Sequence, residues 1–146
     1  FSSFGGPVQE TQETLEIGLQ AEARFSVTAH CLATHWGSGA VPVLATPQMI
    51  AWMEQVASRA VAASLPEGQT TVGVHLDVRH LAATLPGHTV TVRATLIAID
   101  GRQLGFAVAA EDAAGLIGEG THRRVIVNTE RFVARAATRD SAASGT

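Results

Sequence analysis

Hydrophobic and polar positions change period twice along this chain. In residues 15–27 they alternate: Leu15, Ile17, Leu19, Ala21, Ala23, Phe25 and Val27 share one parity, which predicts a strand or a hairpin. Residues 28–43 carry Gly37-Ser38-Gly39 and Pro42 and read as a loop with a short helix. From Thr46 to about Ser64 the period becomes helical. Ile50, Met53, Val56, Ala57, Ala60 and Val61 form a broad apolar face, and Gln48, Gln55 and Arg59 a narrow polar stripe. Thr46 is the expected N-cap, with Pro47 at the first helical position and Leu65-Pro66-Glu67-Gly68 as the stop. The period then returns to two. Val72, Val74, Leu76, Val78 and His80 share a face, then Val90 to Ala98, then Leu104, Phe106 and Val108, then a long strand from Leu116 to Val127. Pro86-Gly87, Asp100-Gly101 and Asp112 to Gly115 mark the turns. The pattern predicts an α+β domain: one strand, one long helix wrapped by sheet, then four strands joined mostly by tight turns, antiparallel where hairpins link them.

Composition narrows the function. The chain has 146 residues, 46% hydrophobic and 16% charged, which suits one folded domain at 14–136 between a flexible arm (1–13) and a tail (137–146). No apolar run is long enough to span a bilayer, and no signal-peptide pattern opens the sequence, so a cytoplasmic location is the default expectation. One cysteine, Cys31, excludes an internal disulfide framework and a multi-cysteine zinc site. All ten basic residues are arginine and the net charge is −3, which argues against a nucleic-acid surface and against lysine-based covalent chemistry.

Three residues stand out as chemistry. Glu54 lies among Ile50, Ala57 and Val61 on the helix, where desolvation would ready a carboxylate for proton transfer; the plainer reading is an edge glutamate that reaches solvent or an arginine. His80 closes the apolar parity of its strand where another aliphatic is expected, and reads as a base, a donor to a carboxylate or a satisfied core histidine. Thr46 is explained by capping alone, yet its hydroxyl sits beside a helix N-terminus that favours developing negative charge. Cap and catalytic roles compete for one oxygen. Gly73 interrupts an apolar strand and marks a bulge or a close approach of ligand to backbone, and Gly118 and Gly120 permit similar approach. Arg123 and Arg124 point to opposite sides of a strand, so one of them is available for an anion. His75, Asp77, His30 and His35 form no convincing metal set, and none is expected.

Taken in order, Ala45-Thr46-Pro47, Met53-Glu54, Ala57, Thr71-Val72-Gly73, His80, Pro86 to Val92, Gly101-Arg102, Leu104 and Gly118 to Arg124 resemble the fluoroacetyl-CoA thioesterase group of hot-dog proteins over residues 15–135. The resemblance implies a central helix wrapped by an antiparallel sheet of five to six strands. It further implies a homodimer, or a tetramer built from dimers, with sites at the subunit interface. The implied reaction is hydrolysis of an acyl-CoA thioester, with coenzyme A part of the substrate, no further cofactor, and neither nucleic acid nor membrane as partner. By position it implies Thr46, Glu54 and His80 as catalytic residues, with Gly73 and Arg124 contacting substrate. The specialised enzyme lays phenylalanines over the fluorinated acyl group, whereas residues 33–44 here contain no Phe. Trp36 is the candidate to take that place; selectivity for fluoroacetyl is not implied, and the acyl group stays open. Two alternatives stand beside this reading: a hot-dog enoyl-CoA hydratase or dehydratase, and a non-catalytic module that binds an acyl-CoA or related metabolite. The Asp-x-x-x-x-His pair typical of the hydratases is absent at the start of the helix.

Overall fold

The computed structural model describes residues 13–144. The order is β1 (Gln20–Ser26), a short 3-10 turn at Ala29–Cys31, α1 (Ala33–Trp36), α2 (Thr46–Ala62), β2 (Gln69–His80), β3 (Thr89–Asp100), β4 (Gln103–Asp112), β5 (Gly115–Asn128) and α3 (Thr129–Ser144). Apart from Glu13, whose amide donates to the Ala63 carbonyl at 3.1 Å, the expected N-terminal arm lies outside the described residues.

The strands form one antiparallel sheet in the order β1-β3-β4-β5-β2. Its inner face wraps α2: Met49, Trp52, Met53, Val56, Ala57, Ala60 and Val61 are buried against Val90, Val92, Ala94, Leu96, Leu104, Phe106 and Ile117. Phe25 of β1 stacks on Trp52, with centroids 4.7 Å apart. Burying a side chain of this size stabilises by roughly 1.5–3 kcal/mol, and the helix contributes a whole face of them. This is the hot-dog arrangement, with five strands.

Three sequence expectations are corrected by the backbone. Thr46 is not the N-cap. Ala45 takes that place without a side-chain hydrogen bond, Thr46 is the first helical residue, and its hydroxyl points elsewhere. Second, Val72 does not share a face with Leu76, Val78 and His80. A bulge between Gly73 and His75 inserts one residue, so Thr71 and Gly73 face inward before it and Leu76, Val78 and His80 after it. Third, residues 137–144, expected as tail, are the last turns of α3, which is exposed along its length. Asn128 caps that helix, its side-chain carbonyl accepting from the Arg131 amide at 2.9 Å.

Turn chemistry accounts for the long β3–β4 hairpin. Asp100 pairs with Gln103, leaving the two-residue turn Gly101-Arg102 with Gly101 at φ 60. No helix among the described residues is long and apolar enough to cross a membrane.

Candidate active site

The N-terminus of α2 and the end of β2 meet. Because Thr46 is relieved of capping, its Oγ1 lies 2.7 Å from Nδ1 of His80. Backbone bonds hold this junction: Ala45 N–H donates to Cys31, Leu44 N–H to Thr84, and Leu81 N–H to Ile117. Thr84 is in turn buried and its hydroxyl donates to Asp112 at 2.8 Å. Met49 is wedged over Gly118, the residue paired with His80, where a Cβ would come within 2.5 Å of its sulfur. Burial lowers the His80 pKa below the ordinary imidazole value, partly offset by the Ala82 backbone. The ring is therefore held neutral, and its buried Nε2 has no hydrogen-bond partner among the described residues. A cavity of about 350 Å3 opens here, lined by Ala33, Leu44, Thr46, His80 and Leu81.

A second cluster forms two turns further along α2. Glu54 faces Gly73 so closely that a Cβ there would lie 2.5 Å from Oε2 of the carboxylate. Glu54 also pairs with Arg124 at 3.9 Å. It is not sealed in the core as its apolar neighbours suggested: its side chain is 40% exposed in the single chain. Arg124, by contrast, is buried and clamped. Its Nε donates to Thr71 Oγ1 at 2.7 Å and its Nη2 to the Thr71 carbonyl at 2.9 Å. Its Nη1 lies 3.1 Å from Nε2 of His122. A guanidinium has no acceptor, so His122 Nε2 must accept and Nδ1 must carry the proton, which it donates to the His75 carbonyl at 2.9 Å. His122 is fully buried, and desolvation first, then the Arg124 charge, lower its pKa against the opposing pull of the His75 carbonyl and Glu54. The network thus contains a neutral imidazole, a fixed cation and a half-exposed carboxylate.

The structure brings Thr46 to His80, and Glu54 to Gly73 and Arg124. It does not bring the two groups together within one chain: Gly73 and His80 are separated by about 23 Å of β2 at roughly 3.3 Å per residue. Trp36 belongs to neither cluster. It is 46% exposed, donates to Gln48 Oε1 at 3.3 Å, and is not among the residues that line the Thr46–His80 cavity. The sequence reading missed His122 and Thr71. A histidine at the buried parity next to an arginine was the available signal for the first. A further cavity, about 390 Å3, lies on the opposite sheet face around Asp77, Arg79, Arg93 and Glu119, and holds none of these groups.

A neutral imidazole joined to a hydroxyl, and a carboxylate beside a glycine backbone, are the groups needed to deliver water or an oxyanion to an acyl carbon. The fold that holds them is that of the hot-dog thioesterases. The profile of the fluoroacetyl-CoA-specific thioesterase family matches residues 27–130, and the chain belongs to that family. It is 43% identical over 93 residues to the fluoroacetyl-CoA thioesterase of Streptantibioticus cattleyicolor, covering 64% of this chain and 67% of that one. The solved fluoroacetyl-CoA thioesterase FlK superposes with a TM-score of 0.82 at 34% identity, over 86% of this chain and 98% of that one. A hot-dog-like protein from Thermanaerovibrio acidaminovorans matches with a TM-score of 0.78 at 26% identity, over 84% of this chain and 91% of that one.

Proposed function

We propose that this protein hydrolyses the thioester of a small acyl group on coenzyme A, and that it does so as a homodimer in the cytoplasm. In this reading each site draws Thr46 and His80 from one protomer and Glu54, Gly73 and Arg124 from the other. The observation that carries it is the division of the chemistry. The two halves lie apart along β2, one near its middle at Gly73 and one at its end at His80, and β2 is an edge strand of the sheet. Two such edges pairing antiparallel about a twofold axis, with Gly73 of one opposite His80 of the other, would bring the halves together twice. Exposed Val74 and Leu76 on that edge, and the half-buried Ile50, Ala51 and Ser58 of α2 around Glu54, support a second copy there.

In the joined site Glu54 and His80 activate a water molecule, or Glu54 itself attacks the acyl carbon. The Thr46 hydroxyl, hydrogen-bonded to the neutral His80, steadies the reacting group. Backbone N–H groups at the bulged Gly73 or at the start of α2 meet the carbonyl oxygen as charge develops, an interaction often worth about 3 kcal/mol per donor. Arg124, 3.9 Å from the Glu54 carboxylate, aims it. By the first route water adds to the acyl carbon as the base takes its proton, the C–S bond breaks, and that proton passes to sulfur so that coenzyme A leaves as thiol. By the second, Glu54 displaces the thiolate to form an anhydride, and water then opens it, releasing the acid, regenerating the carboxylate and giving its proton to the thiolate.

The test is thiol release from acyl-CoAs of graded length and polarity. Wild type turns over short acyl-CoAs, while Glu54→Gln lowers kcat by about 100-fold or more. Full turnover by Glu54→Gln would remove the assigned role, and binding without turnover by wild type would favour a ligand-binding module. With no phenylalanine in residues 33–44, fluoroacetyl is one acyl group among several to be compared.

A further inference from the structure

A groove of about 350 Å3 lies where β5 runs into α3, lined by Arg102, Arg131, Arg135, Phe132, Val125 and Val127. Three arginines converge on it from two elements that are distant in sequence. Arg102 reaches in from the β3–β4 turn, its Nη1 donating to the Ile126 carbonyl at 3.4 Å. Arg131 and Arg135 are one helical turn apart on α3 and share a face, and Arg139 extends their row. No carboxylate among the described residues pairs with any of them, although Glu130 and Asp140 stand on the same helix. In a chain with net charge −3, this is a local concentration of uncompensated positive charge. Phe132, 40% exposed, adds an aromatic face within the same groove.

We propose that this groove binds the phosphorylated nucleotide end of coenzyme A, an inference that rests on the thioesterase reading above. Guanidinium forks suit phosphate oxygens, and an exposed ring offers a stacking surface to a purine. The placement fits the substrate. Arg124, which contacts Glu54 on the inner face, and Val127, which lines the groove from the outer face, lie about 10 Å apart along the same strand. The flexible pantetheine arm that joins the thioester to the nucleotide covers such a span around the end of the sheet. The arginines then act on binding and leave the chemical step alone.

The experiment compares wild type with the Arg131→Gln/Arg135→Gln double variant on two substrates carrying one acyl group: the coenzyme A thioester and the pantetheine thioester, which lacks the nucleotide. The double variant is expected to raise KM for the coenzyme A thioester about tenfold or more. Its kcat, and both parameters for the pantetheine thioester, should match wild type. Equal KM for the coenzyme A thioester in the two proteins, or equal losses on both substrates, would overturn the proposal. Calorimetry with coenzyme A, adenosine 3′,5′-bisphosphate and inorganic phosphate separates the readings. Nucleotide binding that the double variant loses supports the groove even if no thioester is turned over, in which case the hydrolase reading alone fails. Binding unchanged in the variant, or seen equally with inorganic phosphate, overturns the nucleotide assignment.

Discussion

Gly73 has no room for a side chain because Glu54, His122 and Arg124 crowd the space where a Cβ would stand. Gly73→Ala should leave the fold intact, since the one atom closer than 3 Å, Glu54 Oε2, ends a flexible and partly exposed side chain, but push that carboxylate off its position. We expect kcat to fall at least tenfold with Tm within a few degrees of wild type, read by thiol release and calorimetry side by side. His122 acts through Arg124. Its Nε2 is the acceptor that fills the third side of the guanidinium. His122→Phe, of similar bulk, strands that donor, and a buried unsatisfied group costs about 1–3 kcal/mol. His122→Gln keeps an acceptor and should recover part of both stability and activity; equal losses in the two variants would reduce His122 to packing. Glu54 and His80 were visible as residues out of keeping with apolar surroundings. Their partners were not, because a 2.7 Å contact between Thr46 and His80 spans residues far apart in the chain.

At the scale of elements, β2 carries a residue of each cluster, Gly73 and His80. Its bulge reverses the parity of the strand midway, so Gly73 and His80 both face α2 although they differ in parity. The alternation of Val72 to His80 concealed this, since the inserted residue changes no residue type and Gly73 alone marked it. The proposed division of the site makes a test possible that needs no structure. If Glu54 and His80 work across protomers, mixing the inactive Glu54→Gln and His80→Ala proteins through unfolding and refolding restores roughly a quarter of the wild-type activity, because half the dimers are mixed and each holds one intact site. No restoration would place both residues in one protomer's site. Leu76→Asp, near the expected twofold, sets carboxylates against each other, and sedimentation should show monomers with little activity.

For the whole molecule, the two neutral histidines set the response to pH. His80 and His122 both have pKa values lowered by burial, so the folded chain disfavours their protonation. The unfolded chain takes up those protons near the ordinary value of 6.5. Their contribution to stability is thus complete above that pH and is lost as pH falls through 6.5 toward the lower folded values. Tm should drop over that window, and less steeply in His122→Gln; a flat profile would contradict the buried neutral assignment. The same protonation of His80 should give activity an acid limb.

Periodicity and turn residues by themselves specified one strand, a long central helix and four further strands, because alternation and helical spacing are local properties; which strands pair was decided by the fold, which sets β2 beside β5 and not beside β3. Residue type against background also singled out Glu54, His80 and Gly73. Tertiary structure decided the rest. It released Thr46 from capping, turned a regular alternation into a bulge, continued the C-terminal tail as helix and built the arginine groove from two distant segments. Each of these depends on which surfaces meet, and a one-dimensional pattern records a residue's own preference but not the neighbour that satisfies it.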